Sequence, residues 1–206
     1  MRSSSQNGNV EQAITEVVRL AKLFGARGSV PATSGNFSVR ASATEIAITR
    51  SGVDKSNLGP ADVLIIPLGS EPPRTASAEA ALHLALYEKW PDVGAVVHTH
   101  ADSAAVLGLL FAEAGELRLT GWELLKAFRG ITTHEAEVLL PIYPNTQNVP
   151  SLADRVLQHL PNGVYAYLIA GHGLYAWGST PAEAERHAVA VEHLTHCELQ
   201  KRMYKK

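Results

Sequence analysis

The sequence predicts an α/β protein with a single α/β/α layered domain built around a central mixed, mostly antiparallel sheet. Short apolar runs alternate with helical patterns along all 206 residues, which favours a layered α/β architecture. Two pairs of runs are separated by turns too short to hold a helix, so antiparallel neighbours are expected. The run at 94–97 is continuously apolar or small, as in a strand covered on both faces.

The first half of the chain predicts two helices. Asn9 begins a capping-box pattern, and apolar residues then recur at helical spacing as far as Phe24. Ser77 can cap a second helix that ends near Trp90, because Pro91 follows. The predicted strands of this half are short and apolar: 37–40, 45–49, 63–66 and 94–100.

The second half predicts further helices and strands in alternation. Thr180, Pro181 and Glu183 combine a cap residue, a first-turn proline and a capping-box glutamate, so a helix is expected from there to about residue 200. The other predicted helical segments are 104–111, 120–128 and a helix opening at Ser151. The predicted strands are 138–142, 164–170 and 174–177.

Composition and charge narrow the functional classes. The formal net charge is −2 without a basic stripe, which argues against nucleic acid as the main partner. Cys197 is the only cysteine, so no intramolecular disulfide can form and a cytoplasmic location is expected. The longest apolar runs are too short to span a bilayer, so no membrane partner is expected. We expect one domain over 1–206, with 1–8 flexible and no signal peptide.

A His-Thr-His sequence ends the apolar run and is the strongest chemical signal in the chain. Side chains alternate along a strand, so His98 and His100 should point to the same side. Zinc accepts imidazole nitrogen and, when catalytic, commonly uses three protein ligands and keeps one position open. His172 lies between two glycines at another strand end and is the best candidate for the third ligand. The remaining histidines are expected to be surface or core residues.

Two glutamates are candidates for moving protons. Glu79 lies at the predicted start of the helix that leads into the His-Thr-His strand, and Glu123 lies in Gly121-Trp-Glu-Leu-Leu-Lys126. A carboxylate beside a metal-polarised carbonyl could remove the neighbouring proton or protonate a leaving oxygen.

Three turn-like stretches of small and hydroxyl residues predict a phosphate cradle. Successive backbone N–H groups in such turns can bind an anion, and a nearby lysine would add positive charge. The candidate residues are Gly35, Asn36, Ser51, Gly52, Lys55 and Ser77. No nucleotide-binding glycine fingerprint is present, so the phosphate would belong to a small substrate.

These motifs occur in the order found in the class II aldolase/adducin family, which the sequence resembles from about residue 10 to 200. The motifs that carry the resemblance are Ser34-Gly-Asn-Phe-Ser38, Thr49-Arg-Ser-Gly52, Ser77-Ala-Glu79, His98-Thr-His100 and Gly171-His-Gly173. The resemblance implies one Zn²⁺ per subunit on His98, His100 and His172. It also implies a sugar-phosphate substrate bound by the cradle residues and a homotetramer with active sites at subunit interfaces.

The resemblance also leaves a choice of reaction. In related dehydratases the glutamate that matches Glu123 is the acid/base, and in related aldolases the glutamate that matches Glu79 has that role. The Trp122-Glu123 loop favours a dehydratase of a phosphorylated ketose, with Glu79 as an auxiliary base or a ligand in the empty enzyme. The alternatives are a sugar-phosphate aldolase or 4-epimerase, and a non-catalytic, adducin-like binding module.

Overall fold

A computed structural model describes residues 4–204, and a single sheet of eight strands forms its centre. The strands in chain order are β1 (Asn36–Arg40), β2 (Glu45–Thr49), β3 (Val63–Pro67), β4 (Ala95–Thr99), β5 (Glu116–Thr120), β6 (Glu137–Tyr143), β7 (Ala166–Ile169) and β8 (Gly173–Gly178). Their order across the sheet is β3-β2-β1-β4-β8-β7-β6-β5. Only β6 and β7 run parallel; every other neighbouring pair is antiparallel.

Helices cover both faces of the sheet, as predicted. The five helices are α1 (Ser4–Ala26), α2 (Ala80–Lys89), α3 (Asp102–Leu110), α4 (Val149–His159) and α5 (Pro181–Tyr204). The buried residues of α1, α3 and α5 pack on one face, and those of α2 and α4 pack on the other. Alternation along β4 separates the two cores, because Val97 lies in the first and Val96 in the second.

The observed elements correct the sequence prediction in three places. The first helix does not begin at Asn9 but already includes Ser4, because the preceding residues include no proline to stop it. Residues 4–8 are thus the start of α1, residues 1–3 lie outside the described part, and the flexibility of 1–8 stays a prediction. Helix α4 begins at Val149 rather than Ser151, and the cap is Asn148, whose side chain accepts from Ser151 N.

The third correction is at the sheet edge. The predicted helical segment 120–128 contains a 3₁₀ helix at Glu123–Ala127, and the strand β5 that precedes it was not predicted. In β5, Leu117 and Leu119 are buried and alternate with more exposed residues. Pairing with β6 therefore overrides the weak strand propensity of this short segment.

The sheet is unusually tight where β4 meets the turn before β8. A Cβ atom added to Gly173 would lie 2.0 Å from the carbonyl oxygen of Thr99, so no larger residue fits there without a backbone shift. Gly171, on the other side of His172, has a φ of +66°, which glycine adopts without strain. This pair of glycines brings His172 close to the end of β4.

None of the helices in residues 4–204 is long and apolar enough to cross a membrane.

Candidate active site

The end of β4 brings His98 and His100 together, with their Nε2 atoms 3.0 Å apart. Both side chains project from the same face of the sheet, as alternation along the strand requires. His98 is fully buried, and its ring stacks on Tyr175 of the neighbouring strand with 4.2 Å between ring centroids. This packing fixes one imidazole, while His100 is partly open to the adjoining cavity.

His172 and Glu79 complete a cluster of four donor groups. His172 Nε2 lies 3.0 Å from His100 Nε2 and 2.8 Å from Glu79 Oε1. The other carboxylate oxygen, Glu79 Oε2, lies 3.1 Å from His98 Nε2. One ligand atom from each of the four residues falls within 4.8 Å of the others. The three predicted histidine ligands and one predicted glutamate thus converge from separate parts of the chain.

The chemistry of these donors fits a divalent metal ion. His98 Nδ1 lies 2.8 Å from the carbonyl oxygen of Leu174. Because a carbonyl only accepts, Nδ1 carries the proton, and the neutral form of the ring then presents the Nε2 lone pair to the cluster. Burial, together with the neighbouring His98 and His172, lowers the pKa of His100 to about 3. His100 is therefore neutral at physiological pH, which is the form that binds metal.

The Glu79 carboxylate is held in its ionised form. Burial by itself would raise the pKa of Glu79, but the contacts with His98 and His172 outweigh it and hold the pKa well below its ordinary value. Asn36 Nδ2 donates to Glu79 Oε2 over 2.7 Å and adds a further hydrogen bond to the charged form. The ionised carboxylate of Glu79 is therefore available as a metal ligand.

A cavity of about 440 Å³ opens from this cluster. All six residues predicted for the phosphate cradle line it: Gly35, Asn36, Ser51, Gly52, Lys55 and Ser77. Gly35 and Gly52 have φ values of +71° and +72°, so the turns depend on glycine. His100, His172 and Glu79 line the same cavity. The structure therefore places two of the three predicted histidine ligands, Glu79 and all the predicted phosphate residues around one space.

The cradle carries positive charge and an unused hydroxyl group. Lys55 is 2% exposed, and its Nζ donates to the carbonyl oxygens of Thr33 and Val53 over 2.9 and 2.7 Å. Burial lowers the pKa of Lys55. Arg50 also lines the cavity. The Ser34 hydroxyl is buried there without a hydrogen-bond partner among the described residues, and is available to a ligand.

Glu123, the predicted acid/base, does not line this cavity in its own chain. Its side chain is 72% exposed and contacts Lys126 Nζ over 2.5 Å. The preceding Trp122 donates from Nε1 to Glu198 over 2.8 Å, which ties the 3₁₀ turn to α5. Glu123 is consequently displayed on the surface of the single chain.

The cavity also includes residues that the sequence prediction did not assign to the site. Arg50 lies inside one of the predicted turns, and its charge was a usable signal. The loop Asn145-Thr-Gln147 also lines the cavity, and its polar residues follow the end of β6. Of the other histidines, His83 and His187 are buried, and His134, His159, His193 and His196 are exposed.

Comparison with known proteins defines the class. The family described as the Class II Aldolase and Adducin N-terminal domain matches residues 15–199. The chain belongs to this family, as its motifs predicted. The solved structure of L-fuculose-1-phosphate aldolase from Thermus thermophilus has a TM-score of 0.76 at 27% identity, covering 93% of this chain and 96% of that one. A sugar-phosphate aldolase from Thermotoga maritima, 18% identical with a TM-score of 0.70 over 95% of this chain and 97% of that one, shares the fold.

Curated relatives point to a particular member of the class. A protein of Bradyrhizobium sp. (strain BTAi1) is 49% identical over 189 residues, which is 88% of each chain. A protein of Pectobacterium atrosepticum is 42% identical over 198 residues, covering 93% of this chain and 96% of the relative. Both relatives are named methylthioribulose-1-phosphate dehydratase.

Proposed function

We propose that this protein is a zinc-dependent hydro-lyase that converts 5-methylthioribulose 1-phosphate to 2,3-diketo-5-methylthiopentyl 1-phosphate and water in methionine salvage. The observation that carries the proposal is the pairing of two sites around one cavity. Three imidazoles and a carboxylate meet in one cluster, and hydroxyl groups, Arg50 and Lys55 line the cavity that opens from it. The names of the curated relatives support this choice of substrate.

His98, His100 and His172 would hold one zinc ion per subunit, with Glu79 beside it. When bound, the ion supplies Lewis acidity to the carbonyl on carbon 2 of the substrate and so makes the proton on carbon 3 acidic. The cradle residues orient the substrate by binding its phosphate. Backbone N–H groups in the turns at Gly35 and Gly52 supply donors without a cost in side-chain ordering.

The reaction then needs one base and one acid. Removal of the carbon-3 proton and departure of the carbon-4 hydroxyl, which takes up a proton and leaves as water, give an enol that ketonises to the diketone. We assign Glu123 as the acid/base and Glu79 as an auxiliary base or a ligand in the empty enzyme. Because Glu123 does not line the cavity of its own chain, this assignment requires a second copy to supply it. A homotetramer with interface active sites meets that requirement.

An aldolase or 4-epimerase of the same fold is the second candidate. The observation in its favour is that Glu79, rather than Glu123, lies beside the histidines. The solved aldolase at 27% identity shares the fold. Such an enzyme would cleave a carbon–carbon bond or invert the configuration at one carbon, and it would release no water. A non-catalytic, adducin-like module is less favoured, because a binding module has no need of a complete cluster of ligands.

We also propose that the protein is cytoplasmic. The test of the proposed function is a paired measurement on one sample of purified protein. Elemental analysis gives the metal content, and the same sample is incubated with 5-methylthioribulose 1-phosphate while diketone formation is followed. One zinc per chain with diketone formed is the expected result. Zinc without diketone, but with retro-aldol or epimerised products from sugar phosphates, would favour the second candidate. Absence of both zinc and turnover would favour the binding module.

A further inference from the structure

A buried row of hydrogen-bonded polar side chains leads away from Glu79 between β1 and α2. We call this row, which consists of Asn36, His83, Ser38 and Tyr87, the relay. Asn36 donates to Glu79 Oε2, and the other end of its amide, Oδ1, contacts His83 Nε2 over 2.5 Å. His83 Nδ1 lies 2.7 Å from Ser38 Oγ, which lies 2.9 Å from the Tyr87 hydroxyl. The four residues beyond Glu79 are at most 2% exposed.

The relay forms because side chains recur at nearly the same spacing along a strand and along a helix. Residues on one face of a strand recur about every 6.6 Å, and residues four apart on a helix recur about every 6 Å. Asn36 and Ser38 lie on one face of β1, while Glu79, His83 and Tyr87 follow one another at intervals of four. The two sets therefore meet in register along most of the length of α2.

The hydrogen bonds of the relay can be assigned in only one consistent direction. Asn36 must turn its NH₂ group to the carboxylate, so its carbonyl oxygen faces His83 and requires Nε2 to donate. Burial, with the nearby His98, lowers the pKa of His83 to about 3, so the ring is neutral and Nδ1 accepts. Ser38 then donates to His83 and accepts from Tyr87. Each group donates towards Glu79.

We infer that Tyr87, Ser38 and His83 are positioning residues that orient the Asn36 amide and thereby hold Glu79 against the metal site. This inference rests on the proposed function. With Asn36 fixed, one carboxylate oxygen stays 3.1 Å from His98 Nε2 and the other 2.8 Å from His172 Nε2. Without the relay, the amide can rotate and present its oxygen to the carboxylate. The electrostatic repulsion would then move Glu79 away from the cluster.

A histidine that merely filled the core would behave differently. The His83 ring packs edge-on to Tyr175, with 5.6 Å between ring centroids. Phenylalanine would keep that contact. If His83 only fills space, His83→Phe should change stability but leave the affinity for zinc unchanged. Mutation of a residue that hydrogen-bonds a metal-site residue typically lowers metal affinity or activity about 10–100-fold.

The test uses the full-length protein with His83→Phe and Tyr87→Phe. Tyr143→Phe is the matched control, since the Tyr143 hydroxyl is buried in the same core without a hydrogen-bond partner in the described part of the chain. Zinc affinity is measured by competition with a chelator, and kcat and KM with 5-methylthioribulose 1-phosphate. The tautomer of His83 is read by ¹⁵N-labelled histidine NMR of the wild type.

We expect His83→Phe to weaken zinc binding and lower kcat about 10–100-fold with little change in KM. Tyr87→Phe should change both in the same direction by a smaller factor, Tyr143→Phe should change neither, and the wild type should show the Nε2–H tautomer. Unchanged zinc affinity in both relay variants, or an Nδ1–H tautomer, would overturn the inference. If His83→Phe does not fold, Tyr87→Phe and the tautomer decide. If the wild type binds zinc without forming diketone, the proposed function fails, and zinc affinity and tautomer still decide the relay.

Discussion

Thr99 Oγ1 donates a hydrogen bond of 2.8 Å to Glu192 Oε1, on the face of β4 opposite the two histidines. Glu192 is buried, and burial raises the pKa of its carboxyl despite contacts with Thr99 and Arg27. The hydroxyl between His98 and His100 thus ties the end of β4 to α5. This hydrogen bond holds the end of β4 from the face of the sheet opposite the candidate metal ligands.

Thr99→Val should therefore destabilise the protein without removing a ligand. Valine keeps the branched shape but removes the Thr99 hydrogen bond to the buried Glu192 carboxylate, which costs about 1–3 kcal/mol. Urea unfolding measures the change. Thr15→Val is the control, because the Thr15 hydroxyl bonds on an exposed helix surface, and it should shift stability by less than about 0.5 kcal/mol. Equal effects for both variants would contradict the anchoring role of Thr99.

Gly173→Ala should be among the most damaging small substitutions in the chain. The new methyl group would meet the carbonyl oxygen of Thr99 at 2.0 Å, and backbone on both strands would have to move. We expect a loss of more than about 3 kcal/mol, or failure to fold, in thermal or urea unfolding. Gly8→Ala, where nothing lies within 4 Å of the added atom, is the control and should be neutral or slightly stabilising.

Zinc should stabilise the wild type and fail to stabilise a protein that lacks a ligand. A ligand at about 100 times its Kd adds about 2.7 kcal/mol to the free energy of unfolding. We therefore expect zinc to raise the Tm of the wild type and of His193→Asn, whose site is an exposed position on α5. His172→Asn should lose most of that shift. A full zinc-dependent shift in His172→Asn would exclude His172 as a ligand.

The assignment of Glu123 to a neighbouring copy predicts complementation. Glu123→Gln and Glu79→Gln should each lose about 100-fold or more in kcat, the usual contribution of an acid/base group. Mixed oligomers of the two variants, formed by co-expression, should regain part of the activity, because some sites combine an intact Glu79 with an intact Glu123. Nearly wild-type turnover by Glu123→Gln alone would remove Glu123 from the mechanism. Two inactive variants without complementation would place both glutamates in one chain's site.

Stability should fall with acidification through His187. Its Nδ1 donates to the carbonyl oxygen of Trp177, its Nε2 is buried without a partner among the described residues, and burial lowers its pKa. The unfolded chain binds a proton near pH 6.5 that the folded chain resists. The stabilisation is therefore complete above about pH 6.5 and is lost as the pH falls, by up to about 1.4 kcal/mol per pH unit. Urea unfolding from pH 7.5 to 5 should show a shallower loss in His187→Phe than in the wild type. Parallel curves would contradict this expectation.

Local sequence patterns predicted most of the fold because most elements carry their own signal. The apolar run into His98 and the start of α5 at Pro181, preceded by the cap residue Thr180, are examples, and both lie where predicted. Strand β5 was missed since its five residues become a strand only through pairing with β6, which is distant in sequence. The Asn9 start failed because a helix can extend into polar residues that have no apolar periodicity.

The candidate site was predictable where the position of a site residue depends on the sequence of one segment alone. Strand alternation placed His98 and His100 on one side, and the glycines around His172 marked a tight turn. The role of His83 was not predictable, because it depends on the register between β1 and α2. The exposure of Glu123 likewise follows from how Trp122 docks on α5, a contact between distant segments.

The four donors of the metal cluster come from the start of α2, the end of β4 and the turn before β8. On a ribosome, a chain that has reached His100 holds only a partial set, and the cluster closes only after His172 emerges and β8 pairs with β4. A fragment released early would therefore lack part of the proposed zinc site. Binding of the proposed metal ion would then be a late step, open only to a chain that has nearly finished folding.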